Sequence, residues 1–331
     1  MVRFPARGPS RRHVLWAVSA LVVVVSLLWW MTPGGRDRPT GSATLATGVP
    51  SGVYARYGTL LKERLPRDLP EVELGLRPSQ GSVDNIEQVI AGKADFTIAQ
   101  ADAVAAYLTS GGKDASRLRA CARLYDDYVQ LVVRADSDVE SAADLRGLKV
   151  GVGQRQSGVR PVAERLLRAA GLDPAKDVRQ VYEGIGLMPE LLENGGLDAF
   201  FWTGGLPSSA IQDLAASSDI RLVELGSLVP ALHAQDPQAR HYRAAVMPAD
   251  AYPRVQQGEA VESVAVANLL VTTDRAEKSL TEGLTRALIN NRDYIGSRVH
   301  AAQRVDLRTA IYTDPLPLHE GAQRYYRTVK P

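Results

Sequence analysis

Two glycine-rich turns hold most of the chain's chemical potential. TGVPSGVY (Thr47–Tyr54) sets the hydroxyls of Thr47, Ser51 and Tyr54 among Gly48 and Gly52. GQRQSG (Gly153–Gly158) sets Gln154, Gln156 and Ser157 between two glycines. A helical pattern follows each turn. Backbone N–H groups in the first turn of a helix are unpaired and carry about half a positive charge, so such an end favours carboxylate or phosphate. GQRQSG has the glycine spacing of a P-loop, but Val159 and Arg160 stand where Lys and Ser/Thr are required. It also lacks the third glycine of a dinucleotide turn, and no G-x-S-x-G elbow occurs. The five histidines, His13, His233, His241, His300 and His319, show no H-E-x-x-H spacing. Asp126 and Asp127, beside Tyr125 and Tyr128, could receive a ligand ammonium, although a solvated turn explains them better. Glu190 and Glu193 lie on an amphipathic helix and read as surface. Nucleophile, base and orienting group are nowhere brought together, so no catalytic residue, metal or cofactor is expected.

The elements that must position these turns come twice. TLATG (Thr44–Gly48) reads as a short strand, and Val53, Tyr57, Leu60, Leu61 and Leu65 then recur at helical spacing. VELGLRPS (Val72–Ser79) alternates like a strand, and Gly81–Asp102 reads as helix, glycine, then the strand FTIAQ. The order returns as the strand LKVGVG (Leu148–Gly153), a helix closing at Gly171, and MPELLENGGLDAFFWTGGLP (Met188–Pro207). Gly48 and Gly153 are 105 residues apart; Asp95 and Asp198 are 103 apart. Both aspartates follow a turn and precede an apolar strand, which suits capping or turn chemistry. Alternating strands and helices predict α/β lobes with mostly parallel sheets. Ligands sit beyond the carboxyl ends of such strands. Two facing lobes would bring two helix ends into one cleft, a clamshell for a small anionic or zwitterionic ligand. A chain of 331 residues suits two lobes.

Composition narrows the classes further. Thirty-nine basic and 37 acidic residues leave +2, and aromatics are 6%. No nucleic-acid surface is implied. The single cysteine, Cys121, forbids an internal disulfide and a Cys-based zinc cluster, and its apolar neighbours suit a small buried residue. Residues 1–13 form a basic tail with Arg3, Arg7, Arg11 and Arg12. Val14–Met31 is uncharged and mostly apolar, and its 18 residues span roughly 27 Å as a helix. The positive-inside rule keeps the tail cytoplasmic and sends the rest outside. Ser10–Trp16 is similar to a twin-arginine export signal. The apolar run exceeds a usual signal core and no A-x-A site follows, which favours an uncleaved single-span anchor over a secreted or periplasmic protein. Residues 32–42 read as a linker.

A run of motifs then resembles the TAXI family, the solute receptors associated with TRAP-type transporters. The matching stretches are Leu45–Leu61, Gly81–Asp102, Leu124–Val133, Asp144–Gly158, Leu192–Ala215, Val246–Tyr252 and Pro315–Arg327. The resemblance implies a type II periplasmic-binding-protein-like clamshell that closes on glutamate, glutamine or a related small acid. The expected lobes are residues 43–132, 133–244 and a return over 245–331, with crossings near Leu131–Arg134 and Arg243–Met247. Carried to matching positions, the ligand-binding residues are Thr47, Gly48, Ser51, Gly52, Val53, Tyr54, Gln80, Gly81, Ser82, Gln100, Asp102, Tyr125, Gln156, Ser157, Gly158, Trp202, Thr203 and Pro207. Ser51 or Ser157 would donate to the ligand carboxylate, Asp102 or Asp126 would receive an ammonium, and Tyr125 would stack on the ligand. Ala55 and Val159 replace a tyrosine and a threonine frequent in the family. The implied partner is a set of TRAP-type membrane subunits; the alternative is a tethered sensor reporting to a membrane histidine kinase.

Overall fold

The computed structural model describes residues 39–301 and 305–329. The first lobe opens with β1 (Gly41–Ala46), α1 (Val53–Asp68), β2 (Val72–Arg77), α2 (Ser82–Ile90) and β3 (Phe96–Gln100). α1 forms because Tyr57, Leu60, Leu61 and Leu65 make one apolar stripe, and that stripe is buried. β1 lies between β2 and β3 and runs parallel to both. Next come α3 (Ala101–Thr109) and a long strand, β4 (Leu118–Arg134).

The second lobe repeats the pattern with β5 (Lys149–Gly151), α4 (Val159–Ala169), β6 (Arg179–Val181), α5 (Met188–Glu193) and β7 (Ala199–Gly204). β5 lies between β6 and β7, again parallel, so the two halves share one strand order. The duplicated aspartates do the same work in each. Asp95 Oδ2 accepts the N–H of Thr44 at 2.7 Å, and Asp198 Oδ2 accepts that of Lys149 at 2.8 Å. Their own N–H groups donate to the carbonyls of Thr44 and Lys149, both at 2.9 Å. Each aspartate thus pins the strand it enters to its parallel neighbour, as capping chemistry predicts.

The rest comprises α6 (Ser209–Ser217), β8 (Ile220–Val223), α7 (Val229–His233), β9 (Tyr242–Met247), α8 (Pro253–Gln256), β10 (Val261–Thr273), α9 (Lys278–Asn290), α10 (Arg292–Gly296) and α11 (Glu320–Val329). β10 and β4 run antiparallel beside each other through both lobes. On β4, Leu124 and Tyr125 pack in the first core with Tyr57, Phe96 and Leu288, whereas Val129 and Leu131 pack in the second with Val150 and Phe201. On β10, Val264 and Val266 belong to the second core and Leu270 to the first. The cores therefore change over within two paired strands, between residues 125 and 129 and between 266 and 270, and not at Leu131–Arg134 and Arg243–Met247. The reason is that continuous strands, not loops, join the lobes.

After β10 the chain returns to the first core through Leu284, Leu288, Tyr325 and Tyr326. The hydroxyl of Tyr326 donates to the carbonyl of Cys121 at 3.1 Å. Cys121 is fully buried, and burial pushes its thiol up to about 12. Among the described residues no helix is long and apolar enough to cross a membrane, and none of their acidic, cysteine and histidine side chains group to hold a metal ion. The anchor expected at Val14–Met31 lies outside the described residues.

Phe96 and Phe201 are fully buried, one in each core. Replacing either with Ala should cost about 3–5 kcal/mol. Because the sheet is continuous, both variants should lower one common urea transition. Two separate transitions, each moved by one variant only, would contradict this.

Candidate functional site at the junction of the lobes

The first-lobe turn enters α1 through Gly48, at φ +70°, and the second enters α4 through Gly153, at φ +85°. Both need the left-handed region that glycine adopts freely. A Cβ on Gly153 would also stand 2.6 Å from Val159 Cβ. α1, α2 and α4 start after Gly52, Gly81 and Gly158, which supply no side-chain cap; in α4 the N–H of Arg160 lies 3.4 Å from Ser157 Oγ. Their amino ends open onto one cleft of about 50 Å³. That is room for roughly two water molecules, so anything larger requires the facing turns to part.

The turns meet closely. A Cβ on Gly158 would lie 2.1 Å from Gln100 Oε1 and 2.9 Å from Ser82 Oγ. One on Gly81 would lie 3.2 Å from Ser157 Cα. The N–H of Asp84, in the first turn of α2, donates across the cleft to Gln156 O at 3.0 Å. Gln156 N–H donates back to Gln80 Oε1 at 3.3 Å, and its side-chain amide donates to Glu87 Oε2 at 3.0 Å.

Of the residues expected at the site, Thr47, Gly48, Gly52, Val53, Tyr54, Gln80, Gly81, Ser82, Gln100, Ser157, Gly158, Trp202 and Thr203 line this cleft. Ser51, Asp102, Tyr125, Gln156 and Pro207 do not. Ser51 faces solvent. Asp102 accepts the Tyr242 hydroxyl at 2.6 Å; burial raises its carboxyl above the usual range and that bond opposes the rise. Tyr125 is buried under α1, stacked on Tyr57 with ring centroids 6.0 Å apart, and cannot reach a ligand. Gln156 serves the cross-cleft contact. Ser157 lines the cleft, but its hydroxyl donates to Gln154 O at 2.7 Å. An incoming carboxylate would therefore meet backbone N–H groups before that hydroxyl.

Asp126 and Asp127 are not a solvated turn: both lie inside β4. Successive strand residues face opposite ways. Asp126 turns to Arg123, at 2.7 Å, and to Arg243. Asp127 turns into the cleft and is 2% exposed. Its Oδ2 accepts the Gln100 side-chain amide at 3.0 Å and lies 3.4 Å from the Tyr54 hydroxyl. Tyr54 donates at 2.5 Å to Asn268 Oδ1 on β10. Ser82 Oγ accepts the backbone N–H of Gln100 at 3.1 Å. Several buried polar atoms of the lining have no partner in the protein: Gln100 Oε1, Asp127 Oδ1, Gln154 Oε1, Trp202 Nε1 and Thr203 Oγ1.

The other lining residues that the motifs missed are Val49, Gly153, Gln154, Val159, Gly184, Ile185, Met188 and Gly204. Several belong to the two glycine turns already singled out. Gly184 and Ile185 lie between β6 and α5 and carry no motif.

Burial pushes the Asp127 carboxyl up to about 6, against the pull of the Asn268 and Gln100 side chains. An ordinary carboxyl ionises near 3.8 in the unfolded chain. Between these values the folded state holds the extra proton, so stability falls as pH rises through the window. The loss is complete above it and amounts to about 3 kcal/mol at most. Asp127→Asn should therefore unfold at a higher temperature than wild type at pH 7.5. The difference should shrink towards pH 4 in paired melting curves.

Solved structures share this architecture. A protein of Bordetella bronchiseptica RB50 matches with TM-score 0.53 and 17% identity, over 86% of this chain and 88% of its own. A Listeria monocytogenes protein named for L-cystine ABC transport matches with TM-score 0.51 and 14% identity, over 81% of this chain and 99% of its own. An ancestral arginine-binding protein bound to glutamine matches with TM-score 0.50 and 14% identity, over 80% and 99%. The fold is thus the type II periplasmic-binding-protein-like fold. Residues 45–329 match the model of the NMT1-like family, and the chain belongs to that family.

Proposed function

We propose that the chain is an extracytoplasmic solute-binding protein. It captures a small anionic or zwitterionic solute between its lobes, of the glutamate, glutamine or small organic acid class, and delivers it to TRAP-type membrane subunits. One observation carries the reading: three glycine-led helix amino ends from both lobes open onto a single cleft whose buried polar atoms lack protein partners. Such ends bind carboxylate through oriented N–H groups, and buried polar atoms require hydrogen bonds. A solute touching both lobes stabilises the closed form and shifts the population towards it. The membrane subunits then read closure. The TRAP assignment rests on the motif resemblance, and an anchor at residues 14–31 would hold the receptor near its partner.

The lining holds no histidine, cysteine or lysine beside Asp127.

The test is a thermal-shift screen of the full chain in detergent against amino acids and small organic acids. A solute at about 100 times its Kd should add roughly 2.7 kcal/mol of stability and raise the melting temperature by several degrees. Gly158→Ala places a Cβ 2.1 Å from Gln100 Oε1 and should weaken the hit at least about tenfold while the fold persists. If no small acid or amino acid shifts the melting temperature, the reading fails.

A further inference from the structure

This inference rests on the reading above, that the cleft takes up a small solute, and concerns which chemical class it takes. The charges around the cleft are one-sided. Its lining contains no arginine and no lysine, and its one ionisable acid is Asp127. Gln100 and Asp127 are each 2% exposed. The Gln100 amide donates through Nε2 to Asp127 Oδ2 at 3.0 Å, which fixes the orientation of both groups. It turns Gln100 Oε1 towards Gly158 on the opposite lobe, and it leaves Asp127 Oδ1 outside that bond, with the Asn268 side chain beside the carboxyl. Gln154 contributes a third unpartnered oxygen, Oε1, from the second-lobe turn.

All three atoms only accept hydrogen bonds. A carboxylate brought to them would offer no donor and would meet a like charge. An ammonium offers three N–H donors and one positive charge, which matches three acceptors and one carboxylate. The helix amino ends supply only partial positive charge, enough to favour one carboxylate. A second carboxylate would find no cationic side chain in the lining, and a buried unpaired charge is strongly disfavoured.

We propose that the solute is an amino acid with an uncharged side chain, its ammonium held by Asp127, Gln100 and Gln154 and its carboxylate by the helix amino ends, and that dicarboxylates are excluded. Trp202 Nε1 and Thr203 Oγ1 remain to serve a polar side chain such as a carboxamide.

The test is titration calorimetry of the full chain in detergent with L-glutamine, L-alanine, L-glutamate and 2-oxoglutarate. L-Glutamine or L-alanine should bind at least about 100-fold more tightly than L-glutamate and 2-oxoglutarate. Asp127→Asn should weaken L-glutamine and L-alanine at least about tenfold, by loss of the ammonium's counter-charge, while melting no lower than wild type. L-Glutamate or 2-oxoglutarate binding as tightly as the neutral amino acids would overturn this inference and leave the solute-binding reading standing. Unchanged L-glutamine and L-alanine affinity in Asp127→Asn would overturn it too. Failure of all four probes overturns this inference, and the wider thermal screen then decides the solute-binding reading.

Discussion

The antiparallel pairing of β4 with β10 carries the cleft. Val266 stands opposite Asp127 and Ala267 opposite Asp126, and the register then slips between Ala267 and Leu269. An irregularity of this kind bends a strand and raises its twist locally. It falls where one core ends and the other begins. Asn268 lies in the slip, pairs with Gln100 on β3, and receives the Tyr54 hydroxyl. The feature that joins the lobes thus also places the polar groups between them. Under the capture proposed above, hinge bending would fall on these few residues of the two strands.

The helix ends have a different logic. A side-chain cap is present at α9, where Glu277 accepts two N–H groups, whereas α3, α5, α6, α7, α8 and α10 start without one. At α1, α2 and α4 the capping position is glycine with no side-chain bond. A side chain at Gly158 would collide with Gln100, and one at Gly81 would press on Ser157. Glycine there admits close approach between lobes and leaves N–H groups available. Local helix stability is lower by only about a few tenths of a kcal/mol per helix, since glycine is itself tolerated at the cap. Burying Asp127 adds a second cost of the same kind. Binding sites commonly trade stability for readiness in this way.

The repeated strand–helix order, the paired turns and most of the first-lobe site were legible in the sequence, because they rest on local signals. Gly48 and Gly153 mark the same left-handed step, and Asp95 and Asp198 the same strand anchor. What escaped was set by tertiary structure. Two adjacent aspartates in LYDDYVQ look like a turn until the strand is known to run on through a second core. Facing then decides between them, sending Asp127 inward and Asp126 to two arginines. Tyr125 was misplaced because a tyrosine beside a site and one under a helix share the same local sequence. Asp102 was drawn to Tyr242, 140 residues away, which no spacing rule anticipates.

Amide hydrogen exchange tests the central claim most directly. The full chain would be compared with and without a solute taken from the thermal screen. The account predicts slowed exchange together at Ser82–Asp84 and at Gly158–Arg160, one helix end from each lobe. Slowing on one lobe alone, or at neither, would contradict capture between the lobes.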